Sequence, residues 1–273
     1  MQLLGIYSGG ALYRHEHLAS RHVAPRHVDV WCPPGYEAGA RYPAIYMHDG
    51  QNLFEPALST FGVPWGVDEA LARLVAEGAI AGAIVVGIWS TPERRREYMP
   101  ERPLLAPEAR ALRDRFSREQ GGPPMSDAYL RFLVEELKPL IDGTYRTQPE
   151  RARTFVMGSS MGGLISLYAL GEHPAIFGGA GCVSTHWTIG EAGLVDLMGR
   201  ALPRAGAHKI YFDYGTETVD APYEPFQQRM DARMRAAGYQ PGVDWLTRKF
   251  DGADHSERAW RARVDIPLRF LLA

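Results

Sequence analysis

Gly158-Ser159-Ser160-Met161-Gly162 fits the pattern G-x-S-x-G. It lies between "RTFVMG", which reads as a buried strand, and "MGGLISLYALGEHP", which reads as a buried helix. A plain turn needs neither two serines nor three glycines, whereas a nucleophile presented at a turn too tight for side chains needs the glycines. In that setting Ser160 occupies a sharp turn with strained backbone angles. Gly158 and Gly162 remove Cβ atoms that would clash, and Gly163 lets the helix approach the strand. The hydroxyl projects above the carboxyl edge of a sheet. The Met161 N–H, at the helix N-terminus, points to where an oxyanion would form. Without a strand before it and a helix after it, the same pattern reads as an ordinary glycine-rich turn.

A serine alone is a weak nucleophile and requires a base, which in turn requires an orienting acid. For a serine at this kind of turn the chain order is nucleophile, acid, histidine. Four histidines follow Ser160. His173 falls at the far end of the helix that Ser160 begins and reads as a C-terminal cap. His208 starts a strand at the edge away from the site. His186 precedes any acid of the next strand and reads as a residue lining the site. His255, in "FDGADHSERAW", follows the last strand in a loop of small residues, so it is the expected base. The acid is expected after "KIYFDYG", with Asp220 preferred and Glu217 as the alternative. The competing reading of Asp220 is a helix cap, and that of Glu217 an exposed loop carboxylate.

The second oxyanion donor is expected from "MHDGQNLFEP", where Gly50 permits a tight backbone and the Gln51 N–H is the candidate. Asp49 is read as fixing this loop by local hydrogen bonds. His48-Asp49 lacks a third ligand at sensible spacing, so no metal is expected. His15 and His17 are read as lying on one face of a half-exposed strand. Trp65 and Trp187 stand in loop contexts and, with His186, are the expected walls of a substrate pocket.

The elements that position these groups follow from periodicity. "LYRHEHLAS" and "PRHVDVWCP" alternate as half-exposed antiparallel strands do. "YPAIYMHDG" and "GAIVVGIW" are continuous apolar β-formers, as expected of strands covered on both faces of a parallel sheet. Helical spacing marks "WGVDEALARLVAEG", "SDAYLRFLVEELKPLIDGTY", Glu191–Ala201, "PYEPFQQRMDARMRAAGY" and a last helix from about Glu257. Strands "GAGCVST", "HKIYFDYG" and "DWLTRKF" alternate with them. The expected fold is therefore α/β, a mostly parallel sheet with antiparallel N-terminal strands and helices on both faces, in a single domain over residues 1–273. Residues 90–125, rich in Arg, Pro and Gly, break the rhythm. They read either as a lid over the pocket or as a solvated connection with a short helix at Pro107–Glu119.

Composition limits the function classes. The 273 residues carry a net charge of -2, with 45% hydrophobic and 23% charged residues. That balance is ordinary for a globular protein and offers no field for nucleic acid or an anionic membrane. Cys32 and Cys182 sit in unrelated apolar contexts and read as buried free thiols. No run is long enough to span a bilayer, and the N-terminus lacks the features of a secretory signal, so a cytoplasmic location is expected.

"YMHDGQNLF", "WGVDEAL", "REYMPERP", "GSSMGGLISLYAL", "YFDYGTETVD" and "GADHSERAW" together resemble the putative esterase family of α/β-hydrolases. That family includes siderophore esterases, feruloyl and acetylxylan esterases, S-formylglutathione hydrolases and mycolyl transferases. The resemblance runs from about Arg26 to the C-terminus. It implies an α/β-hydrolase fold with Ser160 as nucleophile, His255 as base, and Met161 and Gln51 as oxyanion donors. Members place the acid at varying offsets, so Asp220 and Glu217 both stay open. The expected activity is hydrolysis of a small-molecule carboxylic ester through an acyl-enzyme, with no cofactor. An acyltransferase or thioesterase on the same machinery, and a non-catalytic binding protein of the same fold, are the competing readings.

Overall fold

The computed structural model describes residues 1–273 apart from the side chain of Glu37. Nine strands form one sheet in the order β1-β2-β3-β5-β4-β6-β7-β8-β9. Strands β4 (Ala44–His48), β5 (Ile84–Ile88), β6 (Thr154–Ser159) and β7 (Gly179–Val183) are buried along their whole lengths. Their uninterrupted apolar runs are what a parallel sheet covered on both faces requires. With β8 (Lys209–Gly215) and β9 (Trp245–Phe250) they pair in parallel. On the other side of β5, strands β3 (Arg26–Cys32), β2 (Gly10–Leu18) and β1 (Gln2–Tyr7) continue the sheet antiparallel.

Alternation along each strand divides the core. Ala44 and Tyr46 of β4 enter the larger apolar cluster, while Ile45 and Met47 enter the smaller one on the opposite face. Helix α1 (Val67–Ala76) covers the smaller cluster. Helix α2 (Arg94–Tyr98), α3 (Arg110–Glu119), α4 (Ser126–Arg131) and its continuation α5 (Lys138–Thr144) pack over the larger one. So do α6 (Met161–Glu172), α7 (Glu191–Arg200) and α8 (Glu224–Ala236). The C-terminal stretch forms two helices, α9 (Glu257–Arg261) and α10 (Asp265–Leu272), where a single one is expected from the sequence. Both return to the face that α1 covers.

Three details depart from the sequence pattern. Strand β1 is unannounced because its Leu3 and Ile6 remain exposed at the sheet edge, which erases the alternation. Near the end of β2 the register shifts between His15 and Leu18, and His17 takes φ 44°. The two histidines therefore do not share a regular strand face: His15 meets the Tyr145 hydroxyl, and His17 lies against His27. Residues 90–125 are not a solvated connection, because Tyr98, Met99, Leu104, Ala109 and Phe116 are buried in the larger cluster. Glu97 of this segment forms a fully buried ion pair with Arg26 of β3.

The loop after β4 passes so close to β5 that a Cβ on Gly50 would stand 2.4 Å from the Gly87 carbonyl carbon. Neither backbone can yield without disturbing the sheet. Gly50→Ala is expected to cost about 1–3 kcal/mol, the range of an overpacked site. Gly143→Ala in α5, where an added Cβ meets nothing within 4 Å, is expected to be neutral or slightly stabilising. Urea unfolding of the two variants measures the difference, and equal midpoints would contradict it.

Candidate active site

Ser160 has φ 58° and ψ −121°, a backbone region that costs a non-glycine residue on the order of 1–3 kcal/mol. Hydrogen bonds on both sides hold it there. Its N–H donates to the Val183 carbonyl at 2.9 Å, and its carbonyl accepts from the N–H groups of Gly163 at 3.0 Å and His186 at 3.2 Å. The turn is thus tied to the end of β7 as well as to α6. A Cβ on Gly158 would come within 3.0 Å of the Gly162 backbone, and one on Gly163 within 2.9 Å of Thr185 Oγ1. Met161 opens α6, where the first N–H groups have no intrahelical acceptor.

His255 lies in the loop after β9. Its Nδ1 is 2.5 Å from Asp220 Oδ1. A carboxylate only accepts, so Nδ1 carries the proton and the neutral ring keeps a lone pair on Nε2. Asp220, in the short turn after β8, is fully buried. Its Oδ2 accepts from the Gly215 N–H at 2.7 Å and the Ser184 hydroxyl at 2.6 Å. Burial pushes the carboxyl up, but the bonds from His255 and Ser184 outweigh it and hold the group below its ordinary value. Glu217 is exposed and makes no hydrogen bond to His255 among the described residues. Asp220 commits its carboxylate to these partners rather than to a helix N-terminus.

Ser184 is fully used. Besides donating to Asp220, its Oγ accepts from Trp260 Nε1 at 3.0 Å and Arg263 Nη2 at 2.9 Å. Both of these can only donate, so the hydroxyl proton has one place to go, the Asp220 carboxylate. Arg263 is itself anchored by Asp213, at 3.0 Å, and Asp213 also accepts from the Tyr211 hydroxyl. The Trp260 indole also meets the His255 ring edge-on, with centroids 5.0 Å apart.

The loop after β4 forms the opposite wall. Asp49 adopts a left-handed conformation, with φ 57°. Its carboxylate receives Arg94 in a bidentate pair at 2.6 and 2.7 Å. This long-range clamp replaces the local hydrogen bonds expected of Asp49. The Gln51 side chain closes a ring with Ser90: its amide nitrogen donates to the hydroxyl at 2.7 Å, and its oxygen accepts from the backbone N–H at 3.1 Å. The Gln51 backbone N–H has no acceptor among the described residues. His48, behind the loop, contacts the Tyr129 hydroxyl, and burial pushes it down to about 3.

Ser160 and His255 line one cavity of about 440 Å³, together with Gln51, Arg94, Glu257 and Trp260. No hydrogen bond joins Ser160 Oγ to His255 among the described residues; such bonds are commonly long before substrate arrives. The expected pocket walls lie elsewhere. Trp65 is buried against Trp260, and Trp187 is buried with its indole N–H on Gln227. Both serve the core because their apolar area is better satisfied there than at a wet cavity. His186 is not among the residues lining this cavity; its N–H donates to the Ser160 carbonyl and its Nδ1 is 2.7 Å from the Tyr223 hydroxyl. Phe61, Val219 and Trp260 supply the apolar wall instead. His173 caps α6, and the His208 ring lies against the Pro174 carbonyl. Among the described residues no cluster of three His, Cys, Asp or Glu could hold a metal ion, and no helix is long and apolar enough to cross a membrane.

A family model described as "Putative esterase" matches residues 21–270. The ferri-bacillibactin esterase BesA of Bacillus subtilis (strain 168) is 31% identical over 170 residues, which cover 59% of this chain and 54% of BesA. The solved enterobactin esterase FES of Shigella flexneri superposes with a TM-score of 0.68 at 19% identity, covering 99% of this chain and 60% of FES. The ferulic acid esterase AmCE1/Fae1A of Anaeromyces mucronatus superposes at 0.67 and 17%, covering 97% and 90%. The shared fold is that of the α/β-hydrolases.

His186 makes stability depend on pH. Burial, and then the neighbouring His255 and Arg95 charges, push it from 6.5 down to about 4. The unfolded chain therefore binds this proton first as pH falls. The stability held by the neutral ring is complete above pH 6.5 and is lost progressively between there and about pH 4. Urea midpoints should fall across that window, and His186→Gln should make the fall shallower. An unchanged slope in the variant would contradict the assignment.

Proposed function

From the premise that this chain belongs to the Putative esterase family and is a carboxylic-ester hydrolase, we propose that it works through a Ser160–His255–Asp220 triad and an acyl-enzyme. The observation that carries this reading is the buried Asp220 carboxylate bonded to His255 Nδ1 at 2.5 Å, in a ring that shares its cavity with a strained serine. That bond selects the tautomer with a free Nε2, the state a general base must be in.

The steps follow from the atoms. The Ser160 hydroxyl proton passes to His255 Nε2 as Oγ attacks the ester carbonyl carbon. The carbonyl oxygen becomes an oxyanion and is received by the N–H groups of Met161 and Gln51. One is fixed by the start of α6, the other by the Gln51–Ser90 ring and the Asp49–Arg94 clamp. The imidazolium is steadied by Asp220, which stays ionised because its second oxygen is already held by Gly215 and Ser184. Collapse breaks the bond to the alcohol oxygen, and His255 returns the proton to it. Water then repeats the sequence on the acyl-enzyme, releasing the acid and restoring Ser160. The substrate is a small-molecule ester, and this chemistry needs no cofactor.

Turnover of p-nitrophenyl acetate tests the roles. Ser160→Ala is expected to lose about 10⁴-fold or more in kcat, with an unchanged thermal midpoint. Asp220→Asn should lose far more activity than Glu217→Gln. A crippled Glu217 variant beside an active Asp220 variant would reassign the acid. Substantial turnover by Ser160→Ala would remove the nucleophile assignment.

A further inference from the structure

Most polar side chains around the cavity already have partners. Gln51 uses both ends of its amide on Ser90, and Asp49 and Arg94 close on each other. The Asn52 side-chain oxygen accepts from both the backbone and the hydroxyl of Thr60. One carboxylate is left over. Glu257 lines the cavity beside Ser160 and His255, yet it is only 4% exposed. Its Oε2 has no hydrogen-bond partner among the described residues; the carboxyl is met by the residue's own backbone N–H and, at Oε1, by a 3.5 Å contact from the Asn52 amide, the single side-chain donor among the described residues.

A glutamate in the first turn of a short helix gains from the helix dipole wherever its carboxylate points. It has no need to be buried. Burying it without a donor or a cation is unfavourable unless something else reaches it. Burial, joined by the charge of Asp49, accordingly pushes this carboxyl above the usual carboxylate range. The Arg94 guanidinium, the cation of this wall, has its Nε and Nη2 turned to Asp49. What the wall lacks, among the described residues, is a donor for Oε2 of Glu257.

We propose that Glu257 determines specificity by accepting a hydrogen bond from a hydroxyl or ammonium group carried by the ester substrate. This rests on the ester-hydrolase reading above. An ester without a donor leaves the carboxylate buried and unpaired, whereas an ester with one satisfies it, and the difference appears in kcat/KM. Charge-assisted hydrogen bonds are stronger than neutral ones, so an ammonium gains more than a hydroxyl.

The test compares ratios of kcat/KM, so that the intrinsic reactivity of each ester cancels. On the acyl side, ethyl glycolate and glycine ethyl ester are set against ethyl propanoate. On the alcohol side, 2-hydroxyethyl propanoate is set against propyl propanoate. On at least one side, Glu257→Gln is expected to lower the ratio of donor-bearing to donor-free ester by on the order of tenfold. The side that responds shows where the donor sits, and a larger drop for glycine ethyl ester than for ethyl glycolate marks a cation. Ratios within about twofold of the unsubstituted protein on both sides, with active enzyme, overturn the proposal. If the unsubstituted protein cleaves neither these esters nor p-nitrophenyl acetate, the ester-hydrolase reading fails and takes this inference with it; if it cleaves p-nitrophenyl acetate alone, the inhibition comparison below decides. Should Glu257→Gln not fold, inhibition of the unsubstituted enzyme decides. Stronger inhibition by glycinamide or glycolamide than by propanamide supports the proposal, and equal inhibition overturns it.

Discussion

A carboxylate excluded from water keeps its charge only where donors surround it, and the donors around Asp220 come from separate parts of the chain. His255 arrives after β9, Ser184 after β7, and the Gly215 N–H from the end of β8. All three converge only if the parallel strands end at the same level. The in-step pairing of β7, β8 and β9 provides that. The register of the sheet and the ionisation of one side chain are therefore a single constraint. A slip of β9 by one residue would turn its side chains to the opposite face and displace the loop that carries His255.

The opposite side of the cavity is built on the same principle with different groups. If the Gln51 N–H receives an oxyanion as proposed, the backbone there must be immobile, because an amide N–H stabilises an oxyanion only if it needs no reorganisation when the charge appears. Contact of Gly50 with Gly87 presses the loop against β5, and Arg94 holds it from above through Asp49. Arg94 belongs to the proline-rich stretch between β5 and α4. That stretch is part of the site's frame, held to the sheet by the buried Arg26–Glu97 pair.

The parts of the site legible in the sequence are those whose physics is local. The Ser160 turn needs glycines within a few residues of it, and the small-residue loop of His255 directly follows a strand. Both can be read from neighbouring letters. The choice between Asp220 and Glu217 cannot, because it depends on which carboxylate the turn after β8 swings inward. Trp65 and Trp187 were expected at the cavity from their loop contexts, but loop residues that pack under a site read the same as those that line it. Arg94, Ser184 and Arg263 are illegible for a further reason. Their partners lie far away in the chain, and only the folded sheet brings them together. The parallel strands were readable from unbroken apolar runs, whereas β1 was not, since an edge strand with exposed leucine and isoleucine carries no alternation.

Trp260 meets the His255 ring edge-on and donates its indole N–H to Ser184. Ser160 is translated well before Asp220, His255 and Trp260. While the chain is still being made, the serine turn can form on β6, β7 and α6, but the histidine proposed as its base and the residues that hold that histidine do not yet exist. A growing chain therefore exposes a shaped serine with no means of deprotonating it. On that proposal, reactivity arrives only when the segment from β9 onward has been made and closes over the edge of the sheet, so a chain that has not reached that point cannot attack esters or be trapped as an acyl-enzyme.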